Sequence, residues 1–303
     1  MRTFLLLFIF LFLATSAFSE KPETVKNQNI IREDNHYDNS NLKIKKSFHI
    51  YVSFKFINQP LQLEETYGLK KLNIYYHGHL IIKDSTKMYV ANLAKIKEIG
   101  EYYKDKTDEL VCFDIEKWKF RYNDSLNNYR SLLNFLNVVK TFREQAPETM
   151  FGFYGQFPQR KYWDPVLKAR GFPSRCNEWQ KLNEYIRPAT EYVNVIMPSL
   201  YTFYKDRNSW VIYARENMNE AKKYNKPVYP FLWPQYHQNK SKKKPVDCEF
   251  IEYDYWKLQL ETVYKYADGV IIWVPRGHVW DEEKEWWRAT KEILSKINKD
   301  KNQ

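Results

Sequence analysis

The 303-residue chain is poor in residues that mark several common classes of protein. It contains 8 glycines, 3 cysteines and 6 histidines. With aromatics at 17%, the shortage of glycine favours a packed, aromatic-lined protein over a disordered chain or a repeat array. No internal repeat of fixed period occurs, and the one low-complexity tract is the lysine run at 240–244. The histidine and cysteine spacings fit no metal site, so neither a metal nor a cofactor is predicted.

Long apolar runs are also missing, except at the start of the chain. Met1 and Arg2 precede the apolar stretch Phe4–Ala14, and the small residues Ala17 and Ser19 follow it. This order predicts a secretory signal peptide over residues 1–19, and the stretch is shorter than the roughly 20 residues of a membrane span. We therefore expect a secreted protein, or a periplasmic one if bacterial, without stable membrane insertion after cleavage. An uncleaved anchor is the alternative.

The rest of the chain falls into two parts that differ in composition and length. Residues 20–45 are polar and predict a mobile leader, whereas residues 46–298 suit one large domain. The net charge is +11, and removal of residues 1–19 takes away only Arg2, which leaves +10. This excess favours a polyanionic partner, although it also serves general solubility. No nucleic-acid-binding motif occurs, so we expect an anionic polysaccharide partner, no nucleic acid and a monomer.

The three cysteines are Cys112, Cys176 and Cys248. Cys112 shares the strand parity of Asp114, which predicts a free thiol facing the interior of the domain. Export permits a disulfide. If one forms, Cys176 and Cys248 are the predicted pair, because both occupy loop-like segments that follow strands.

Apolar strands alternate with helical patterns along the whole domain. Strands are predicted at Phe48–Phe56, Leu72–Tyr76, Leu110–Glu116, Thr149–Tyr154, Tyr192–Met197, Pro227–Trp233 and Gly269–Val274. Helices are predicted at Met88–Tyr103, Ser125–Gln145, Asn177–Arg187, Ser209–Tyr224, Phe250–Ala267 and Asp281–Ile297. No G-x-G-x-x-G follows a strand, which disfavours a dinucleotide-binding sheet. The pattern predicts an α/β fold, a single TIM-like (β/α) barrel of seven to eight parallel strands.

Two carboxylates follow the strand that begins at Leu110. Asp114 and Glu116 are two residues apart, so their side chains leave the strand on the same face. Like charges this close raise the pKa of at least one partner. An acid beside a carboxylate is the working pair of glycoside hydrolysis, whereas two solvated acids at a strand end are the plainer interpretation.

Aromatic and polar residues occupy the other strand ends. In a barrel these ends form the active-site face, so Asp114 and Glu116 should share it with further side chains. Aromatic rings stack on pyranose faces, and we predict that these residues bind a sugar, although each ring alone is more often core packing. The predicted sugar-binding residues are Tyr154, Tyr201, Gln235, Tyr236 and Trp273.

Four sequence blocks together resemble the hyaluronidase family of glycoside hydrolases. Phe113–Trp118 resembles that family's D-x-E-x-W strand end, and Phe151–Pro158 resembles its aromatic-Tyr-Gly-Phe-Pro strand. Pro198–Tyr201 is similar to its Pro-Ser-Ile-Tyr segment, and Gly269–Trp273 to its last strand. The blocks occur in the family's order and span residues 45–295. The resemblance implies a (β/α) barrel and an endo-acting, hyaluronoglucosaminidase-like glycosidase.

The resemblance also implies a role for each matched residue. Glu116 is the implied general acid and base, and the nucleophile is the substrate's own N-acetyl carbonyl oxygen. Asp114 and Tyr201 orient and polarise that acetamido group. Tyr154 and Trp273 shape the subsite. No enzyme carboxylate attacks carbon in this substrate-assisted retaining mechanism, which is an exception to the two-carboxylate rule.

The second block departs from the family pattern. Gln156 interrupts it, and Gln159 and Arg160 follow Pro158 where the family has Asp-Cys. The chain therefore favours hydrolysis of an N-acetylhexosamine polymer, hyaluronan-like or chondroitin-like, without selecting one. A chitinase-like hydrolase is an alternative, although the longer D-G-x-D-x-D-x-E run is missing. A non-catalytic glycan-binding barrel is a second alternative.

Overall fold

Parallel strands alternate with helices through residues 48–237 and 248–301, the part of the chain that the computed structural model describes. The predicted signal peptide, the polar leader and the lysine run at 240–244 lie outside the described residues. The strands are β1 (His49–Ser53), β2 (Lys70–Tyr76), β3 (Ile81–Lys83), β4 (Tyr89–Ala91), β5 (Leu110–Asp114), β6 (Met150–Phe153), β7 (Phe231–Leu232) and β8 (Gly269–Trp273). The helices are α1 (Leu63–Tyr67), α2 (His77–Leu80), α3 (Leu93–Tyr103), α4 (Ser125–Gln145), α5 (Trp163–Ala169), α6 (Ser174–Thr190), α7 (Arg207–Lys222), α8 (Tyr253–Tyr266) and α9 (Glu285–Lys301).

Six strands form one parallel sheet in the order β6-β5-β2-β1-β8-β7. Residues 195–199 join the two ends of this sheet. Met197 forms a parallel bridge with Tyr154 beside β6, and Ser199 forms one with Phe231 of β7. The sheet is thereby curled into a TIM-like barrel with seven positions, which confirms the predicted fold class.

Prolines explain why the strand predicted at Pro227–Trp233 is short and why the one predicted at Tyr192–Met197 forms only isolated bridges. Pro198, Pro227 and Pro230 have no backbone N–H, so they cannot donate to a neighbouring strand. The bonds that remain come from the other residues: Phe231 N donates to the Pro198 carbonyl oxygen at 2.8 Å, and Leu200 N donates to the Phe231 carbonyl oxygen at 2.9 Å. The predicted strand Pro227–Trp233 is therefore reduced to the two residues of β7.

The core has two layers that follow the alternation of the strands. In β5, Val111 and Phe113 point outward into the large cluster between barrel and helices. Leu110 and Cys112 point inward to a second cluster at the barrel axis. Asp114 continues this alternation on the inward side. Its carboxylate therefore lies at the mouth of the barrel, where the carboxyl ends of the strands meet.

Gly152 allows the barrel to close tightly beside β6. A Cβ atom at this position would lie 2.5 Å from the carbonyl oxygen of Val195, which is closer than real Cβ contacts. The absent side chain thus lets residues 195–199 approach β6 and form backbone bonds, such as Gly155 N to the Met197 carbonyl oxygen at 2.9 Å. A larger residue at 152 would push this segment outward.

Capping residues define where two of the predicted helices begin. Asp124 caps α4, which begins at the predicted Ser125, by accepting from Asn127 N at 3.1 Å. Asp206 caps α7 by accepting from Ser209 N at 3.0 Å, so this helix begins at Arg207, two residues before the predicted start. The predicted helix Met88–Tyr103 is wrong at its start, because Met88 lies in the turn between β3 and β4 and α3 begins at Leu93. Within the described ranges, no helix is both long and apolar enough to span a membrane.

Candidate active site

A cleft of about 260 Å³ opens at the carboxyl ends of the strands. It brings together acids from the end of β5 and rings from five other barrel positions. Its lining residues are Ile74, Tyr76, Asp114, Glu116, Tyr154, Tyr201, Phe231, Trp233, His237 and Trp273. Five predicted site residues, Asp114, Glu116, Tyr154, Tyr201 and Trp273, therefore lie in one cleft.

Asp114 forms the acidic floor of this cleft. Its Oδ1 atom is buried and has no hydrogen-bond partner among the described residues. Burial and the nearby charge of Glu116 raise the pKa of Asp114 to about 7, and Arg160 opposes this shift. A carboxyl group that titrates near neutral pH and keeps a free oxygen is suited to a substrate N–H or to a proton.

Glu116 lies at the rim of the cleft, and its side chain is 48% exposed. Its Oε1 accepts from Arg160 Nη2 at 3.4 Å. Arg160 Nη1 also donates to the Tyr154 hydroxyl at 3.1 Å, and that hydroxyl lies 3.0 Å from Ser199 Oγ. One guanidinium therefore connects the outer acid with the aromatic wall.

Tyr201 is held in place from behind by α7. Trp210 Nε1 donates to the carbonyl oxygen of Leu200 at 3.0 Å, and the Tyr213 hydroxyl donates to the carbonyl oxygen of Ser199. Burial, and after it the neighbouring Tyr154, raise the pKa of Tyr201 well above its usual value. The Tyr201 hydroxyl therefore stays protonated and serves as a donor at neutral pH.

Aromatic rings enclose the position in front of Asp114. The Tyr201 ring is 6.0 Å from the Trp273 ring in a stacked orientation and 5.5 Å from the Trp233 ring edge-on. Trp273 Nε1 donates to the Tyr76 hydroxyl at 3.2 Å, and Tyr76 pairs with Asp114 in the register of β2 and β5. The cleft is thus a box of indole and phenol faces with carboxylates at one side.

The structure does not place Gln235 or Tyr236 in the cleft, contrary to the prediction. Gln235 is fully buried, accepts from Trp233 Nε1 at 2.9 Å and donates to the Cys248 carbonyl oxygen at 2.6 Å. The Tyr236 hydroxyl donates to Glu252 Oε2 at 2.7 Å, and its ring packs in the outer core layer. Pro234 ends the alternation of β7, so strand parity stops predicting side-chain directions there.

The predicted disulfide between Cys176 and Cys248 is wrong. All three cysteines are free thiols. Cys176 is buried in α6 rather than in a loop, whereas Cys248 packs against the cluster at the barrel axis. Cys112 is free and buried inside the barrel, as predicted.

Sequence reasoning missed Arg160, Tyr76, Trp233 and His237 as site residues. Tyr76 and Trp233 share strand parity with inward residues, Leu72 and Phe231 respectively, so alternation alone could have found them. Arg160 and His237 follow strands at distances where no periodicity applies. Among the described residues, no group of three or more His, Cys, Asp or Glu side chains is placed to hold a metal ion.

Comparison with known proteins identifies solved structures with a similar fold. No protein-family model and no curated protein sequence matches the chain. A structure of bee venom hyaluronidase is similar at 14% identity and a TM-score of 0.55, covering 84% of this chain and 98% of that chain. A second, of bee venom hyaluronidase in complex with a hyaluronic acid tetramer, has 14% identity and a TM-score of 0.52, covering 83% and 96%. This likeness shows the barrel that the sequence resemblance implies.

Proposed function

We propose that this protein is an endo-acting glycoside hydrolase that cleaves an N-acetylhexosamine-containing polysaccharide, hyaluronan-like or chondroitin-like, by substrate-assisted retaining hydrolysis. The observation that carries the proposal is the pair Asp114 and Glu116 in an aromatic cleft, one acid buried with an unpartnered oxygen and the other at the rim. The barrel shared with bee venom hyaluronidase supports the same class of reaction.

The first chemical step needs an acid on the leaving-group side. Protonated Glu116 transfers its proton to the glycosidic oxygen, and the bond from that oxygen to the anomeric carbon breaks. The acetamido carbonyl oxygen of the same sugar forms a new bond to that carbon, so the enzyme supplies no nucleophile. Asp114 accepts the acetamido N–H and balances its growing positive charge. The Tyr201 hydroxyl donates to the acetamido oxygen and aligns it.

The second step restores the enzyme. A water molecule attacks the anomeric carbon from the side that the leaving group has vacated, and the Glu116 carboxylate takes one proton from this water. The bond to the acetamido oxygen breaks, and the product keeps the anomeric configuration of the substrate. Trp273, Tyr154 and Trp233 exclude bulk water from the rest of the ring by covering its faces.

A panel of purified polymers tests the proposal. Reducing-sugar release is measured on hyaluronan, chondroitin and chitin oligomers, with Glu116→Gln as the matched blank. We expect release from hyaluronan or chondroitin and none from the blank. Release from chitin alone would favour the chitinase-like alternative, and full turnover by the blank would rule out Glu116 as the acid.

One observation favours a second candidate, a glycan-binding barrel without turnover. The Oε1 atom of Glu116 already accepts from Arg160 Nη2 at 3.4 Å, so the outer acid is engaged by a side chain of the protein itself. Binding of the polymers without product, unchanged in Glu116→Gln, would support this candidate.

We further propose that the protein is exported as a monomer. The proposal rests on the composition of residues 1–19 and on the net charge. Amino-terminal sequencing of the protein recovered from its natural compartment should begin at Glu20, and an intact Met1 would contradict cleavage.

A further inference from the structure

Exposed apolar side chains are concentrated on three adjoining elements of the molecule. Of the fourteen large apolar residues that are exposed in the described part of the chain, seven belong to the β3–β4 hairpin, the start of α3 and the first half of α4. A single exposed apolar residue is ordinary on a protein surface, whereas a group of them marks a surface that contacts something other than water. The seven residues are Ile82, Met88, Tyr89, Leu93, Leu126, Tyr129 and Leu133.

The hairpin and α4 bring these side chains together. Met88, Tyr89 and Leu126 line one cavity of about 320 Å³ between the hairpin and α4. Leu126, Tyr129 and Leu133 follow one another at spacings of three and four residues, so they share one face of α4. The seven residues therefore form one surface, which we call the hairpin patch.

The hairpin patch lies in a strongly basic part of the chain. Residues 81–97 and 117–135 contain eight lysines and arginines but only two acidic residues, Asp84 and Asp124. Both carboxylates already have partners. Asp84 Oδ1 accepts from two backbone N–H groups of its own turn at 2.9 Å, and Asp124 Oδ2 lies 3.8 Å from Arg121 Nη1. The excess of positive charge favours an anionic partner.

Four cations surround the apolar side chains of the hairpin patch. Lys87, Lys117 and Arg130 line the cavity between the hairpin and α4. The Nζ atoms of Lys83 and Lys117 lie 5.4 and 5.6 Å from the centre of the Tyr89 ring. None of the four cations forms a salt bridge within the described part of the chain. Lysines beside tyrosine and leucine suit the boundary between lipid headgroups and acyl chains.

From this arrangement we propose that the hairpin patch is a docking surface for a membrane that contains anionic phospholipids. The apolar side chains enter the headgroup boundary, and Lys87, Lys117 and Arg130 contact headgroup phosphates. A soluble polyanion would satisfy the cations but leave Met88 and Leu126 in water, so lipid matches both parts of the patch. The docking is adsorption at the membrane surface. It uses no residue of the cleft, so it goes beyond the proposed hydrolysis and does not depend on it.

Docking would bring the rim of the cleft close to the membrane. Trp118 Nε1 donates to the Tyr89 carbonyl oxygen at 2.9 Å, and Trp118 is two residues beyond Glu116. The hairpin is thereby fixed to the segment that carries the outer acid. A docked protein would therefore present its cleft to material held at a membrane surface.

Flotation with lipid vesicles tests the docking without turnover. Protein recovered from its natural compartment is mixed with vesicles of phosphatidylcholine, alone or with phosphatidylglycerol. We expect binding to the mixed vesicles to be about tenfold tighter than to phosphatidylcholine alone. Met88→Ser combined with Leu126→Ser should weaken binding to the mixed vesicles about tenfold, because two apolar side chains are lost from the contact. Lys87→Glu should weaken it about tenfold by charge reversal.

Two variants elsewhere on the surface are matched controls. Phe172→Ser removes an exposed apolar ring between α5 and α6, and Lys181→Glu reverses an exposed charge on α6. Both should bind the mixed vesicles within about twofold of the unsubstituted protein. Equal losses in the controls and the patch variants, equal binding to both kinds of vesicle, or no binding would each overturn the docking.

A fluorescent reporter distinguishes docking by the hairpin from attachment through residues before β1. Bimane attached through Ser85→Cys, at the exposed turn of the hairpin, should shift its emission to shorter wavelength on mixed vesicles. Bimane attached through Ser174→Cys, exposed at the start of α6, should not. Labelled protein with neither substitution corrects for Cys248. A protein that floats with the mixed vesicles but gives no shift at Ser85 would overturn the proposal.

Two other occupants of the patch have their own signatures. Light scattering that detects a dimer, lost in Leu126→Ser, without vesicle binding would assign the patch to a second copy of this chain. Weaker hyaluronan binding in Lys87→Glu with unchanged vesicle binding would assign it to a polysaccharide. Either result would overturn the membrane docking. Absence of hydrolysis on every polymer would refute the proposed function and leave the docking unaffected.

Discussion

Two arginines at opposite ends of the barrel show how differently its ends are built. At the amino ends of the strands, Arg143 donates to the carbonyl oxygens of Tyr192, Ala146, Pro147 and Thr149 and to the side chain of Asn194. At the carboxyl ends, Arg160 makes two side-chain contacts, to Tyr154 at 3.1 Å and to Glu116 at 3.4 Å.

The difference separates stability from chemistry. Arg143 donates to four backbone carbonyl oxygens around the start of β6, three of these bonds being partly buried, so its removal affects the folded state. Around Arg160, by contrast, an Asp114 oxygen has no partner, and the site holds polar groups that a ligand would satisfy. The mouth therefore leaves a buried acid available to a ligand, whereas the amino end of the barrel holds the fold together. Four substitutions test this division.

Glu116→Gln has the largest expected effect. If Glu116 transfers the proton, kcat should fall by about 10³-fold, within the range for loss of a general acid. The melting temperature should stay within about 1 °C, because the side chain is half exposed and nearly isosteric with its replacement. Glu101→Gln, an exposed change on α3, is the control. A large loss of stability in Glu116→Gln would show that the mouth also supports the fold.

Arg143→Met comes next, with an expected loss of about 3 kcal/mol in the free energy of unfolding. The substitution removes the bonds to four backbone carbonyl oxygens near the start of β6, three of which are partly buried. Urea titration should show a lower midpoint with an unchanged slope. Arg215→Met, whose side chain is 43% exposed and pairs with Glu216, should cost no more than about 0.5 kcal/mol. If Arg143→Met also lowered the free energy of unfolding by no more than about 0.5 kcal/mol, Arg143 would stabilise the fold no more than an exposed arginine does.

Asp114→Asn should stabilise the protein at alkaline pH. The pKa of Asp114 is about 7 when folded against 3.8 ordinarily. The folded state therefore binds more protons between these values, and the free energy of unfolding falls as pH rises through that window. Because asparagine carries no charge, the variant should gain on the order of 2 kcal/mol above pH 7 and little below pH 4. Equal stability of both proteins at pH 5 and pH 8 would contradict a buried charge.

Gln235→Met has the smallest expected effect, about 1 kcal/mol of stability, since it removes the bonds to Trp233 and to the Cys248 carbonyl oxygen. Its place behind the cleft wall predicts a change in KM of less than threefold. A tenfold or larger rise in KM with unchanged stability would return Gln235 to the role of a sugar-binding residue.

Alternation made most of the barrel predictable. Each of the seven predicted strands has a counterpart in the ring, because apolar runs with inward and outward faces specify buried strands. The predicted helix Ser125–Gln145 matches α4 at both ends, where Asp124 provides the cap. The β3–β4 hairpin escaped prediction because its turn depends on local bonds, in which Asp84 Oδ1 accepts from the backbone of Thr86 and Met88.

The site was predictable as far as strand parity extends. Asp114 and Glu116 inherit their direction from β5, and Trp273 is the last residue of β8. Beyond the strands, side-chain directions depend on loop geometry, which no periodicity encodes. Arg160 enters the site and Tyr236 leaves it for this reason. The disulfide prediction failed similarly, since burial of Cys176 on α6 depends on how that helix packs.

The prolines beside residues 195–199 and β7 also bear on the behaviour of the protein at high concentration. A barrel that opens between residues 195–199 and β7 becomes a sheet with two free edges, and such edges recruit strands from other molecules. Pro198 and Pro230 remove donors from both of these edges. The two edges exposed by such an opening would therefore pair poorly with strands of other molecules. The prolines at this junction thus also oppose aggregation.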